Sequence, residues 1–117
     1  MPDSTTTVAE LRSLMQSFVD ERDWQQFHTP KNLAMSLAIE AAELMEHFQW
    51  GDNAEYRGVA LDAERRQAVG EEIADVCCYL LSLVNALDLD LSEAMTAKMR
   101  KNAIKYPADQ FRGRYSR

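Results

Sequence analysis

A chain of 117 residues, 46% of them hydrophobic, falls at the small end of single domains and can bury a core. Its formal charge of -6 and pI near 4.8 make it a poor partner for nucleic acid polymers and for anionic membranes, both of which select basic surfaces; a small phosphate that arrives with its own cation is not excluded. No apolar run approaches the ~20 residues of a membrane span, and the first residues lack the basic and apolar regions of a signal peptide, so the expected location is the cytoplasm.

Residues 1–6 are polar and expected to fray. Thr7 and Glu10 have the spacing of a capping box, and Val8, Leu11, Met15 and Phe18 recur at steps of three and four, which predicts a first amphipathic helix from Val8 to Glu21. The segment Arg22 to Thr29 breaks that period with Asp23, Trp24, Phe27 and His28. Pro30 suits the first position of a second helix with Thr29 as its cap, and that helix is predicted to run to Trp50, where Gly51 stops it. Gly51-Asp52-Asn53 and Gly58 mark a loop from Asp52 to Asp62.

A third helix is predicted from Asp62 or Ala63 to Leu87. Its interior Gly70 costs up to ~1 kcal/mol relative to alanine, a cost that a bend or the close approach of another element would justify. Asp90 with Glu93 reads as a second capping box, opening a fourth helix whose apolar side is Leu91, Ala94, Met95, Met99 and Ile104 and which Tyr106-Pro107 ends. The tail from Asp109, with Arg112, Arg114 and Arg117, has no apolar period and is expected to be mobile or to fold over a neighbour. Strand-like alternation, internal repeats and low-complexity tracts are absent from the sequence. The expectation is one all-α domain over residues 1–117, ordered over about 8–107 and built as a bundle of four main helices. The second and third helices, at about 20 and 25 residues, are long for so small a chain, and such helices bury part of their apolar surface in an oligomer.

Cys77 and Cys78 are adjacent in a predicted helix, where their side chains point about 100° apart, so they read as reduced, small core residues. A zinc site would need more ligands than these and the two histidines, His28 and His47.

Four carboxylates carry the chemistry. Glu40-Ala-Ala-Glu43 and Glu72-Ile-Ala-Asp75 each place two acids on one helix face, in stretches that otherwise read as buried: Leu37, Leu44 and Phe48 accompany the first pair, and Ile73, Val76, Leu80 and Val84 the second. A Glu-x-x-Glu pair is common on solvated helices. Two pairs in apolar surroundings are different, because clustered like charges persist only if some are protonated or a cation sits among them. All-oxygen ligation suits Mg²⁺, with Mn²⁺ as the alternative. Di-iron bundles want Glu-x-x-His motifs, which this chain lacks, and Mg²⁺ in enzymes usually means phosphate. Trp24 and Trp50 offer flat surfaces for a nucleobase, although either serves equally as a core or lid residue. Tyr79 shares the face of Glu72 and Asp75 and could meet a sugar or simply pack. Lys98, Asn102 and Lys105 make one cationic stripe on the fourth helix, suited to phosphate oxygens or to plain solvation.

Together these residues carry a family resemblance. The pattern Glu40-x-x-Glu43, 28 residues, Glu72-x-x-Asp75 resembles the signature of the MazG-like superfamily of all-α nucleoside triphosphate pyrophosphohydrolases. The run from Glu21 through Trp24, His28, Pro30 and Asn32 to Leu33, then Phe48-Gln49-Trp50, and later Lys98-Met99, Asn102 and Tyr106-Pro107, is similar to its dCTP pyrophosphatase branch. The likeness covers about residues 8–107.

The resemblance implies that Glu40, Glu43, Glu72 and Asp75 bind Mg²⁺ and that an activated water attacks the α-phosphate to release monophosphate and pyrophosphate; among the four, Glu43 is the expected helper in deprotonating that water. It implies that Trp24 and Trp50 frame the base, that His28 and Asn32 lie near the pocket, that Tyr79 and Asn102 contact sugar or phosphates, and that Lys98, Lys105 and Tyr106 hold the phosphate chain. It further implies a homotetramer, a dimer of dimers, with sites composed across subunits and a role in clearing the nucleotide pool. Met15 departs from the branch, standing where a histidine is expected near the base, and a thioether cannot donate the hydrogen bond an imidazole can. Two alternatives stay open: a non-catalytic helical module whose acidic stripe is neutralised by a partner's Arg or Lys, and a relative acting on dUTP.

Overall fold

The computed structural model describes residues 1–56 and 62–115, and every described element is helical. The chain forms α1 (Val8–Glu21), a 3-10 turn (Gln25–Phe27), α2 (Pro30–Glu46), α3 (Ala63–Leu87), α4 (Leu91–Lys105) and the single turn α5 (Ala108–Phe111). The fold is all-α with four main helices. Among the described residues no helix is long and apolar enough to cross a membrane. Of the expected loop from Asp52 to Asp62, residues 57–61, with Gly58, lie outside the described residues, as does Arg117.

Side-chain caps set the helix starts. The Thr7 hydroxyl accepts from the Glu10 N–H at 3.1 Å while the Glu10 carboxylate accepts from the Thr7 N–H at 2.7 Å, which satisfies two of the orphan donors every helix start leaves. Thr29 accepts from the Asn32 N–H at 3.2 Å, with Pro30 behind it, Asp62 from the Arg65 N–H at 2.8 Å and Asp90 from the Glu93 N–H at 2.8 Å.

Two expectations need correcting. α2 stops at Glu46 rather than Trp50. Beyond it the backbone tightens, with His47, Phe48 and Gln49 donating to the carbonyls three residues back. Arg65 takes the His47 carbonyl at 3.0 Å, and Phe48 meets Tyr56 edge to face at 5.2 Å, so tertiary partners hold this stretch out of the helix. Gly51 follows that ending and lets the Tyr56 ring lie where a Cβ would collide. Gly70 admits no close approach: a Cβ there would meet nothing within 4 Å.

The chain divides into two compact units, Met1–Leu87 and Asp88–Arg117. In the first, α3 is the spine, packed against both α2 and α1. Arg12, early in α1, bonds Asn85, late in α3, and the carbonyl just past α2 bonds Arg65, early in α3; α1 and α2 therefore both run antiparallel to α3 and parallel to each other. Residues 22–29 must travel back along the spine to join them. The reversal is made at Asp23, in the left-handed region at φ 52°: the Trp24 N–H reaches the Val19 carbonyl and the Asp23 N–H that of Asp20, both at 3.1 Å, a Schellman ending with aspartate in glycine's usual place.

In the second unit α4 carries Lys98, Asn102 and Lys105 along one face, and Tyr106 packs edge to face on Phe111 at 5.2 Å.

Candidate metal and nucleotide site

The inward face of α2 reads Leu33, Leu37, Glu40, Leu44, at helical steps, with Leu33 only 2% exposed. Glu40 thus occupies an apolar stripe facing α3. Glu40, Glu43 and Glu72 each bring a carboxylate oxygen within 4.8 Å of the others. With all of them ionised, Oε2 of Glu40 and Oε2 of Glu72 are shut from solvent without a hydrogen-bond partner. Among the described residues the one ion pair joins Arg22 and Glu21, so no Lys or Arg neutralises the cluster. Burial pushes the Glu40 carboxyl up to about 7, helped by hydrogen bonds to Glu43 and Glu72 that only the protonated form can provide and by the negative charge of Glu43 and Asp75. Shared oxygens, missing donors and an unpaid charge are what a hard divalent cation satisfies.

Asp75 stands one turn along α3 and lines a neighbouring cavity of about 400 Å³. Tyr79, Cys78 and Ser82 form its α3 wall, Met15 and Phe18 its α1 wall, and Trp24 and His28, from the returning segment, its remaining side. Trp24 is held by an edge contact to Phe18 at 5.8 Å and lies 6.4 Å from the His28 ring. Burial, before the charge of Asp75, raises the Cys78 thiol, and both cysteines are free. A second cavity of about 310 Å³ shares Met15, His28 and Ser82 with the first and continues past Gln16, Gln25 and Asn85. Gln16 and Gln25 both donate to Asp20 Oδ1.

Glu72, Asp75, Tyr79, Ser82 and Ala86 recur at steps of three and four, so one stripe of α3 runs from the carboxylate cluster through the first cavity into the second. Of the residues singled out from sequence, the structure gathers Glu40, Glu43 and Glu72 at one point and Asp75, Trp24, His28 and Tyr79 around the adjoining cavity. Asn32 and Trp50 do not line that cavity. Asn32 Nδ2 donates to the Phe27 carbonyl at 3.0 Å and so pins the returning segment, while Trp50 is 88% exposed in the turn beyond α2. Lys98, Asn102, Lys105 and Tyr106 belong to the second unit. The sequence reading missed Phe18 and Ser82 as lining residues; Ser82, seven residues after Asp75 and three after Tyr79, was within reach of the same face-counting that selected Tyr79.

A family profile described as the MazG-like family matches residues 35–116. The chain belongs to the MazG-like family. MazG-like relatives at the sequence level include dCTP pyrophosphatase 1 of Rattus norvegicus, 41% identical over 107 residues covering 92% of this chain, and that of Homo sapiens, 40% identical over 102 residues covering 87%. The chain spans 63% and 60% of the length of these two proteins. In three dimensions it is similar to a pyrophosphatase from Archaeoglobus fulgidus, with a TM-score of 0.77 at 44% identity over 92% of this chain and 98% of that one.

Proposed function

We propose that this MazG-like chain is a Mg²⁺-dependent nucleotide pyrophosphohydrolase that splits a deoxynucleoside triphosphate, dCTP or a near relative, into the monophosphate and pyrophosphate. The observation that carries the reading is the convergence of Glu40, Glu43 and Glu72 beside a ring-lined cavity; the similarity to dCTP pyrophosphatase 1 supplies the substrate class.

Glu40, Glu43, Glu72 and Asp75 are the groups that hold the metal. A divalent cation supplies positive charge against the phosphate oxygens and makes a nearby water more acidic. Glu43, the exposed member of the cluster, accepts the proton of the attacking water. That water bonds to the α-phosphorus, and the bond to the bridging oxygen of the β-phosphate breaks. Trp24 and His28 hold the base by its face, and Tyr79 meets the sugar; in the second unit, Lys98, Asn102, Lys105 and Tyr106 form a donor-rich stripe of the kind that suits phosphate oxygens.

An oligomer, a dimer of dimers, accompanies this reading. Among the described residues, Val19, Leu33, Val69 and Val84 are the buried apolar side chains, whereas Leu14 and Phe18 of α1, Met35, Ile39 and Met45 of α2, and Ile73 of α3 are exposed. Such an imbalance in one protomer is what a second copy relieves. Trp50, exposed in its own protomer, then serves a neighbour's base site.

Product analysis tests the reading: purified protein with Mg²⁺ is incubated with dCTP, dUTP, dTTP, dATP and dGTP in turn. Monophosphate and pyrophosphate are expected. Diphosphate with orthophosphate, or no turnover of any, gives precedence to the non-catalytic helical module.

A further inference from the structure

Ser82 is the polar side chain that the proposed reaction leaves without a task. It is 6% exposed, and its hydroxyl has no hydrogen-bond partner. A buried helical hydroxyl ordinarily bonds the carbonyl one turn back, as Thr96 does to Ser92 at 2.7 Å; that of Ser82 does not. Ser82 also lines both cavities, as do Met15 and His28. Its distance from the carboxylates suits a nucleoside. Seven residues of α3 separate it from Asp75, a rise of ~10 Å, comparable to the reach from a nucleotide's first phosphorus to the far edge of its base.

We infer that Ser82 is a specificity-determining residue of this site, its hydroxyl pairing with the exocyclic group on the far edge of a pyrimidine held against Trp24. The inference rests on the pyrophosphohydrolase reading. A hydroxyl both donates and accepts, so it serves a 4-amino group and a 4-carbonyl alike. Met15 beside it brings a thioether, which has no N–H with which to refuse either pattern. A pyrimidine held against Trp24 ends at these shared residues, whereas a purine would have to extend beyond them. The substrate class is therefore pyrimidine deoxynucleoside triphosphates of both kinds, not cytosine alone.

The test uses the full chain with Mg²⁺, its Ser82→Ala variant, and four substrates: dCTP, dUTP, dATP and the 2-pyrimidinone deoxynucleoside triphosphate, the last carrying only hydrogen at C4. Hydrolysis is followed by pyrophosphate release, and binding of the α,β-imido forms by calorimetry. Wild type should use dCTP and dUTP with kcat/KM values within about tenfold of each other, and S82A should lose about tenfold on both, chiefly in KM, as expected for one hydrogen bond to the base. The pyrimidinone compound should be unaffected by the substitution. Alanine removes an unpaired hydroxyl, so the variant should melt no lower than wild type. Equal losses on all three pyrimidine compounds, no loss on any of them, a wild-type preference for dCTP over dUTP far beyond tenfold, or turnover of dATP as fast as dCTP each overturn the assignment while leaving the pyrophosphohydrolase reading intact. Failure of wild type to bind any triphosphate overturns both.

Discussion

Arg12 and Asn85 exchange two hydrogen bonds across the contact of α1 with α3: Arg12 Nε donates to Asn85 Oδ1 at 2.9 Å, and Asn85 Nδ2 donates to the Arg12 carbonyl at 3.0 Å. The exchange is unequal, because one bond needs the Arg12 side chain and the other only its backbone. Each such bond contributes about 0.5–1.5 kcal/mol net. Asn85→Ala removes both and Arg12→Met only one, so urea unfolding should show about twice the loss for the former. Equal losses would mean that the carbonyl bond contributes nothing.

Glu40 makes the metal-free fold sensitive to pH. Its carboxyl is raised from 4.5 to about 7 in the folded protein, so between those values the folded state keeps a proton that the unfolded chain has released. The contribution is fully present below about 4.5 and is lost as pH rises through about 7. In EDTA, the melting temperature of wild type should fall as pH goes from 5 to 8, and that of Glu40→Gln should fall less. Mg²⁺ should restore wild type at pH 8 and fail to restore the variant. A pH-independent difference between the two proteins would show that Glu40 does not titrate in this window.

Glu43→Ala and Asp75→Ala each remove an exposed carboxylate and should leave the fold standing while turnover drops by roughly 10²–10⁴, the range for a lost general base or charge-stabilising group. Circular dichroism checks the first expectation and single-turnover pyrophosphate release the second. Unchanged rates in both variants would sink the site.

Gly70 sits inside α3 with open space where a Cβ would go. Gly70→Ala should therefore stabilise the protein by about 0.5–1 kcal/mol, seen as a melting temperature raised by several degrees with activity unchanged. A fall would mean that this position faces another copy in the proposed assembly.

Much of this was legible in the residues themselves. Thr7 with Glu10, Thr29 with Pro30, and Asp90 announce three helix starts because capping is local chemistry, and helical spacing puts each acidic pair on one face, from which Glu40, Glu43 and Glu72 come together while Asp75 stands one turn along at the cavity. What escaped depends on partners distant in sequence. The early end of α2 is held by Arg65 and Tyr56, neither visible from the stretch that ends there. The returning segment was hidden because its turn is made at Asp23, where a glycine would have been the signal. Ser82 went unnoticed because a serine in a helix is unremarkable until its hydroxyl is found without a partner.

The thin interior of the first unit has a consequence for how the protein lives in a cell. Among the described residues four apolar side chains are shut away and many more are exposed; in the proposed oligomer, a fold completed by other copies would gain stability with protomer concentration. Abundance then acts as a threshold as well as a supply. In that assembly a copy made when few others are present would be a target for proteases, and the same chain made in quantity would protect itself, so the catalytic capacity of a population of these molecules would climb faster than their number.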